Sequence, residues 1–232
     1  MILGLDATTE HLHLALVDGQ RSWSRRVSVG LGKSHSLTLL PELDALVREA
    51  GTTPAGLTGV CACVGPGGFT SLRIGVATAE GLGLDGVPTW GFSAFELRAA
   101  GLAVAEVPAP CWILLDGQRG EAFHQRWEAD GAAHEAGRHP LAELAERLKG
   151  EPWWAPEGFR PKAEAVLGPC PVTVEDEGAA TLEGLVRLCR SLPSREPEDP
   201  LVPFYLRETD AEVNFPEASR HLPEALRRGV SR

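Results

Sequence analysis

The chain has 232 residues, of which 43% are hydrophobic and 23% charged, and its formal net charge at pH 7 is −10. This composition is typical of a soluble globular protein, and the acidic balance argues against a protein that holds a nucleic-acid backbone by itself, because such affinity comes mainly from Lys and Arg. No apolar run approaches the roughly 20 residues of a membrane helix, and the 5 cysteines form no dense pattern, which predicts reduced thiols in a cytoplasmic protein that does not contact a membrane.

The N-terminal segment is predicted to form a β-hairpin. Two apolar runs, residues 2–5 and 13–17, flank a short polar segment. Asp6 and Thr8 begin that segment directly after the first strand, where a carboxylate could help to orient a magnesium ion beside a phosphate. A turn-forming aspartate explains the same pattern without a ligand, so both interpretations stay open.

The next element is predicted to be a helix over residues 37–50. Leu39, Leu43 and Leu46 recur on one face of this segment, as expected of an amphipathic helix. His35 stands between two serines just before the helix, where a capping or surface role fits better than catalysis.

A glycine-rich turn between a strand and a helix is the most distinctive stretch of the chain. The run 59–64 predicts a buried strand, and apolar residues at helical spacing over 71–84 predict a helix. Free N–H groups at the start of a helix attract anions. The candidate phosphate-binding positions in this turn are Gly65, Gly67, Gly68 and Thr70. The turn matches neither the P-loop nor the G-x-G-x-x-G pattern, and a tight turn that packs the helix on its sheet is the alternative.

The helix that follows this turn is rich in small residues. Small side chains let a helix pack closely, either on the sheet of its own chain or against a second subunit. The positions on this helix that are candidates for contact with another subunit are Arg73, Val76, Ala77 and Glu80.

Strands and helices continue to alternate beyond residue 89, which predicts an α/β fold with a mixed sheet. Pro108-Ala109-Pro110 is the best candidate for a domain boundary. The runs 111–115 and 121–128 predict a second hairpin. Its turn brings together three polar residues of unknown role, Asp116, Arg119 and Glu121. Turn chemistry with a surface ion pair explains them as simply as a site does.

Patterns that carry catalysis or bind metals are missing from the sequence. The 7 histidines form neither H-x-x-x-H nor H-E-x-x-H, and no nucleophile elbow or Cys/His signature stands out. We therefore assign no catalytic residue and no metal ligand. Four arginines near the chain end are expected to lie on a solvated helix, with contact to RNA as the less favoured interpretation: Arg220, Arg227, Arg228 and Arg232.

Residues 65–75 closely resemble the GPGSFTGLRIG signature of the TsaB family, also called YeaZ. Four further blocks are similar to elements of the same family and occur in the same order. They resemble the opening strand and turn, the HSxxLLP helix entry, the DARxGE turn and the late PxYLR element, and they span residues 2–9, 35–41, 116–121 and 203–207. Gly68 and Ser71 depart from the first signature, and Gly117-Gln118 from the DARxGE turn.

The resemblance implies a two-lobed actin-like ATPase (ASKHA) fold with mixed sheets and a reduced second lobe. On this basis we expect an N-terminal lobe over residues 1–106, which carries the partner-binding helices, and a smaller C-terminal lobe over 107–232. The end segment would pack back on the first lobe.

The resemblance also implies a function. TsaB is similar to TsaD, a member of the M22-like glycoprotease superfamily, but is a non-catalytic partner that activates TsaD in the synthesis of N6-threonylcarbamoyladenosine in tRNA. A TsaE-type ATPase joins the pair. The implied partners are therefore a TsaD-type subunit, a TsaE-type ATPase, a second copy when the chain is alone, and tRNA only through the complex. The two predicted helices would form the partner interface through His35, Leu39, Leu43, Leu46 and the four positions named on the second helix.

The implied subunit requires no cofactor of its own, although ATP or ADP at the partner interface is left open. The alternative hypothesis is an actin-like ATPase or phosphotransferase, in which Asp6 and the glycine-rich turn would hold magnesium and phosphate. This alternative also needs a second phosphate loop, and no complete one is found in the later half of the sequence.

Overall fold

The computed structural model describes residues 1–29, 34–107, 109–128 and 131–207. Pro108 of the predicted boundary, the four C-terminal arginines and the predicted contact of the end segment lie outside this part of the chain. The described residues form two compact units, the first from 1–107 and 174–201 and the second from 109–173 and 202–207. Residues 174–201 therefore belong to the first unit.

The first unit is built on a five-stranded mixed sheet. Its strands are β1 (Ile2–Asp6), β2 (His11–Asp18), β3 (Arg21–Ser28), β4 (Gly59–Gly65) and β5 (Thr89–Ser93). The spatial order is β3-β2-β1-β4-β5, with β1, β2 and β3 antiparallel and β1, β4 and β5 parallel. Strands β1, β2 and β4 are buried almost throughout, as expected of central strands with both faces covered.

Four helices pack with this sheet in the first unit. They are α1 (His35–Glu49), α2 (Phe69–Gly83), α3 (Ala94–Val104) and α6 (Glu177–Ser191). The apolar face of α1 is buried, as the spacing of its leucines predicts. A capping box fixes the start of α3, since the Ser93 hydroxyl accepts from the Glu96 N–H and the Glu96 carboxylate accepts from the Ser93 N–H.

Helices α3 and α6 meet with very little space between their backbones. A Cβ on Gly184 of α6 would lie 2.6 Å from the backbone nitrogen of Gly101 and 3.0 Å from the carbonyl oxygen of Leu97, both on α3. A Cβ on Gly101 would lie 2.9 Å from the carbonyl oxygen of Ala180. Paired glycines therefore let α6 return to the first unit, where it also contacts β1, β2 and β3.

The second unit is a smaller sheet with two helices. Its sheet has the order β8-β7-β6-β9, in which β6 (Cys111–Asp116) pairs antiparallel with β7 (Glu121–Trp127). The remaining elements are β8 (Gly137–Pro140), β9 (Trp153–Trp154), α4 (Leu141–Leu148) and α5 (Arg160–Leu167). Leu114, Leu144 and Ala155 are fully buried in the core that these elements share. None of the helices in the described ranges is long and apolar enough to cross a membrane.

We expect Gly184→Ala to lower the free energy of unfolding by about 1–3 kcal/mol, because the added methyl group meets backbone atoms that cannot move independently. Gly81→Ala is the matched control in a helix, since a Cβ there meets nothing within 4 Å. This control should raise stability by about 0.5–1 kcal/mol. Urea unfolding of both variants measures the difference, and equal stabilities would contradict the close α3–α6 contact.

Candidate functional site

The glycine-rich turn packs directly on the residues that follow β1. A Cβ on Gly67 would lie 2.5 Å from the Cβ atom of Thr8 and 2.6 Å from its carbonyl oxygen. The N–H of Gly68 donates to that carbonyl oxygen over 3.0 Å. Gly65 is buried and adopts a φ of 113°, which favours glycine. The glycines therefore allow the turn to pack closely on the segment at the end of β1, residues 6–8, here named the corner.

Asp6 lies at the centre of this corner and is completely buried. Its Oδ1 accepts hydrogen bonds from the N–H of Thr8 over 2.9 Å and from the Thr8 hydroxyl over 2.5 Å. Its Oδ2 lies 3.3 Å from Nη2 of Arg98 on α3 and 3.3 Å from Nδ1 of His13 on β2. Arg98 and His13 are themselves only 4% exposed. The Asp6 carboxylate thus joins three elements of the first unit.

The surroundings of Asp6 keep it ionised and keep His13 neutral. Burial alone would raise the pKa of Asp6, but the charge of Arg98, together with His13 and Thr8, outweighs burial and holds this pKa well below its usual range. Burial lowers the pKa of His13 despite the opposing effect of the Asp6 carboxylate. The buried charge pair is therefore Asp6 with Arg98.

The predicted phosphate positions do not form one open site in this arrangement. Asp6 and Thr8 are buried and bonded to each other, and Gly67 is packed on Thr8. Gly68 and Thr70 are exposed at the start of α2. A carboxylate without solvent exposure cannot contact a metal ion or phosphate unless the corner opens. Within the described ranges, no group of three or more His, Cys, Asp or Glu residues could hold a metal ion.

The residues predicted at a partner interface fall into two groups. Leu39, Leu43, Leu46 and Val76 are buried in the core of their own unit, with at most 6% exposure. These four side chains are therefore not exposed on the surface of the folded unit. They face inward because the apolar stripe of an amphipathic helix covers its own sheet first.

The other predicted partner positions remain accessible. Arg73 and Ala77 are exposed, and Glu80 and His35 are half-buried. The Arg73 guanidinium lies over the ring of Phe69, 4.2 Å from its centroid. Large apolar side chains that the leucine pattern did not single out stand on the same two helices or at their ends, with exposed fractions of 71% for Leu37, 58% for Leu40, 40% for Phe69 and 84% for Leu84.

The polar turn between β6 and β7 is organised by local bonds. Asp116 Oδ1 accepts from the N–H of Gln118 over 2.8 Å, and Asp116 Oδ2 lies 2.9 Å from Nζ of Lys162. Gln118 and Arg119 both have positive φ values, of 63° and 51°. Glu121 Oε2 lies 3.7 Å from Nε of Arg138. The two carboxylates thus pair with different basic residues, so turn geometry and ion pairs account for their positions.

The family model described as TsaD: tRNA N6-adenosine threonylcarbamoyltransferase matches residues 30–167. An uncharacterized protein of Mycobacterium tuberculosis is 29% identical over 80% of this chain and 81% of its own length. The tRNA threonylcarbamoyladenosine biosynthesis protein TsaB of Escherichia coli is 27% identical over 72% of this chain and 74% of its own. The solved structure of YeaZ from Pseudomonas aeruginosa superposes with a TM-score of 0.68 at 22% identity, covering 88% of this chain and 99% of YeaZ. The structural likeness confirms the predicted mixed α/β fold of the actin-like (ASKHA) type.

We expect Arg98→Met to lower the free energy of unfolding by about 3–5 kcal/mol, because it leaves the buried Asp6 carboxylate without a countercharge. The double variant Asp6→Asn/Arg98→Met removes both charges. Its free energy of unfolding should therefore fall clearly less than that of the single variant. Arg48→Met, which removes an exposed partner of Asp44 on α1, is the control and should change stability by less than about 0.5 kcal/mol. Urea unfolding at pH 7 measures the stability of all three variants. If Arg98→Met were as stable as Arg48→Met, the buried ion pair would be refuted.

The burial of His13 predicts a pH dependence of stability. Its pKa is lowered in the folded state, so below about pH 6.5 the unfolded chain binds more protons and the free energy of unfolding falls. His13→Gln removes this contribution, so the dependence between pH 6.5 and 5 should become shallower by up to about 1.4 kcal/mol per pH unit. Equal slopes for the His13→Gln variant and wild type in urea unfolding would contradict this assignment.

Proposed function

We propose a positional, non-catalytic role for this chain, which belongs to the TsaB (YeaZ) group of the TsaD family. Its relatives in Escherichia coli and Bacillus subtilis are named tRNA threonylcarbamoyladenosine biosynthesis proteins, and we place this chain in the same process. In the finer form of the proposal, it pairs with a TsaD-type subunit through α1 and α2 and holds that subunit in its active arrangement.

The observation that carries this proposal is the apolar surface on α1 and α2. Four large hydrophobic side chains that are at least 40% exposed, Leu37, Leu40, Phe69 and Leu84, lie on these helices or directly after α2. Helices α1 and α2 contact each other, and exposure of several large apolar side chains on neighbouring elements is typical of a protein–protein contact. We name this set, together with the exposed Arg73 and Ala77, the helix face.

The glycine content of α2 supports the same surface. Gly81 is exposed, and a Cβ on it would meet nothing within 4 Å. A glycine inside a helix is destabilising by roughly 0.8–1 kcal/mol relative to alanine, and no close contact with another described residue requires a glycine here. A partner helix that approaches α2 closely would use the open space beside Gly81 and Ala77.

A homologous partner suits this face. Two related subunits that present corresponding helices can pack them about a pseudo-twofold axis, as in an isologous contact. A second copy of this chain would use the same face when the TsaD-type subunit is absent. The buried Asp6 carboxylate, whose charge is paired with Arg98, supports a role in positioning, because the carboxylate that the ATPase alternative requires is already bonded within the chain.

The remaining partners follow from this assignment as proposals. The acidic chain, with a formal net charge of −10, would meet tRNA only through the complex. A TsaE-type ATPase would join the assembled pair, and ATP or ADP would bind at the interface between the subunits.

We expect Leu40→Asp and Ala77→Glu each to weaken binding to the TsaD-type protein from the same source by roughly tenfold or more, because each places a charge in a dry contact. Both side chains are exposed in the free chain, so folding should be unaffected. Isothermal titration calorimetry measures the affinity, and circular dichroism checks the fold.

Val166→Asp is the matched control. Val166 is 49% exposed and lies on α5 in the second unit, so the same kind of substitution is made outside the helix face. Its affinity for the TsaD-type protein should equal that of wild type. A wild-type chain that forms no complex would refute the proposed function, and a complex that tolerates both helix-face variants would refute the proposed surface.

A further inference from the structure

Strand β5 ends the five-stranded sheet of the first unit and carries no charged residue. Its sequence is TWGFS, and it pairs on one side with β4. An uncharged, aromatic edge strand is a template on which another strand can pair. Natural proteins therefore protect such edges.

The backbone of Glu198 lies against the outer side of β5. Its N–H donates to the carbonyl oxygen of Thr89 over 2.8 Å, and its carbonyl oxygen accepts from the Thr89 hydroxyl. The Glu198 carboxylate accepts from the N–H of Gly91 over 3.3 Å. A Cβ on Gly91 would lie 3.1 Å from that carboxylate, so glycine leaves room for it. Glu198 thus satisfies backbone groups that an added strand would use.

Contacts on both sides of Glu198 anchor the same segment. The carbonyl oxygen of Arg195 accepts from the indole N–H of Trp90 over 3.0 Å, and the Arg195 guanidinium donates to Glu96 over 2.9 Å. At the other end, Leu201 is only 3% exposed. Residues 195–201, here named the strap, are therefore fixed along β5 by polar contacts and by one buried apolar side chain.

The outer side of the strap is unsuited to further pairing. Pro197 and Pro200 have no N–H to donate to a neighbouring strand. Glu196 and Asp199 are exposed, and charges at an edge oppose association with another sheet. The strap therefore covers β5 without creating a new edge.

We propose that β5 is a strand-pairing surface of the first unit, that the strap occupies it, and that its release lets the β5 edges of two copies of this chain pair. Such a contact is self-complementary, because two identical edges can pair antiparallel about a twofold axis. The uncharged strand and the absent side chain at Gly91 place no repulsive group in that contact. This surface is separate from the helix face and does not depend on the proposed function.

Glu198→Ala, alone and combined with Thr89→Val, tests the proposal. We expect the Gly91 N–H to exchange with deuterium at least about tenfold faster, since a hydrogen bond to a charged group is lost. Light scattering after size exclusion should show association beyond that of wild type, rising with concentration. A peptide of residues 194–202, added in excess, should reverse this association by rebinding the edge.

Glu196→Ala is the control, because it removes the same charge from a neighbouring exposed position. It should leave both the exchange rate and the mass at wild-type values, and a scrambled peptide should have no effect. Glu198 is exposed, so its substitution should not prevent folding, which circular dichroism verifies. Unchanged exchange at Gly91, a mass equal to wild type at every concentration, or association that the peptide does not reverse would each overturn the proposal.

Discussion

The buried contact between Asp6 and Arg98 is the interaction on which the organisation of the first unit depends. It joins the end of β1 to α3, and through His13 it also reaches β2. Thr8, which bonds to the same carboxylate, is the residue on which the glycine-rich turn packs. The start of α2 is therefore positioned by a charge pair that lies inside the fold. A change at this corner would be transmitted to the helix that carries half of the helix face.

This arrangement gives the actin-like corner a structural role. The alternative hypothesis of an ATPase requires the Asp6 carboxylate to help hold a magnesium ion beside a phosphate. Here both of its oxygens are occupied by groups of the chain, and its charge is compensated by Arg98. In contrast to the buried Asp6, the apolar side chains on α1 and α2 are exposed. There leucine and phenylalanine side chains accompany small residues and could contact a partner. The buried Asp6 carboxylate and the exposed apolar helix face are the two features that support the proposed role in positioning another protein.

Much of the fold follows from local sequence patterns. The alternation of apolar and polar segments and the Ser93/Glu96 capping box indicate the elements that the structure contains. The periodicity of Leu39, Leu43 and Leu46 identifies an apolar face of α1 but does not state what covers it, and in the structure these side chains are buried within their own unit. Arg98 was not predicted as part of the site, although a lone arginine between Leu97 and Gly101, on the buried stripe of α3, is the signal of a buried ion pair. The partner of that arginine lies 92 residues away, so no local pattern could identify it.

Hydroxyl-radical footprinting of this chain, alone and with the TsaD-type protein, would locate the partner contact, because it measures the accessibility of individual side chains. We expect oxidation of Leu37, Leu40 and Phe69 to fall when the complex forms, while Val166 in the second unit stays as reactive as before. Protection confined to the second unit, or a complex in which the helix face stays fully reactive, would contradict the claim that α1 and α2 hold the partner.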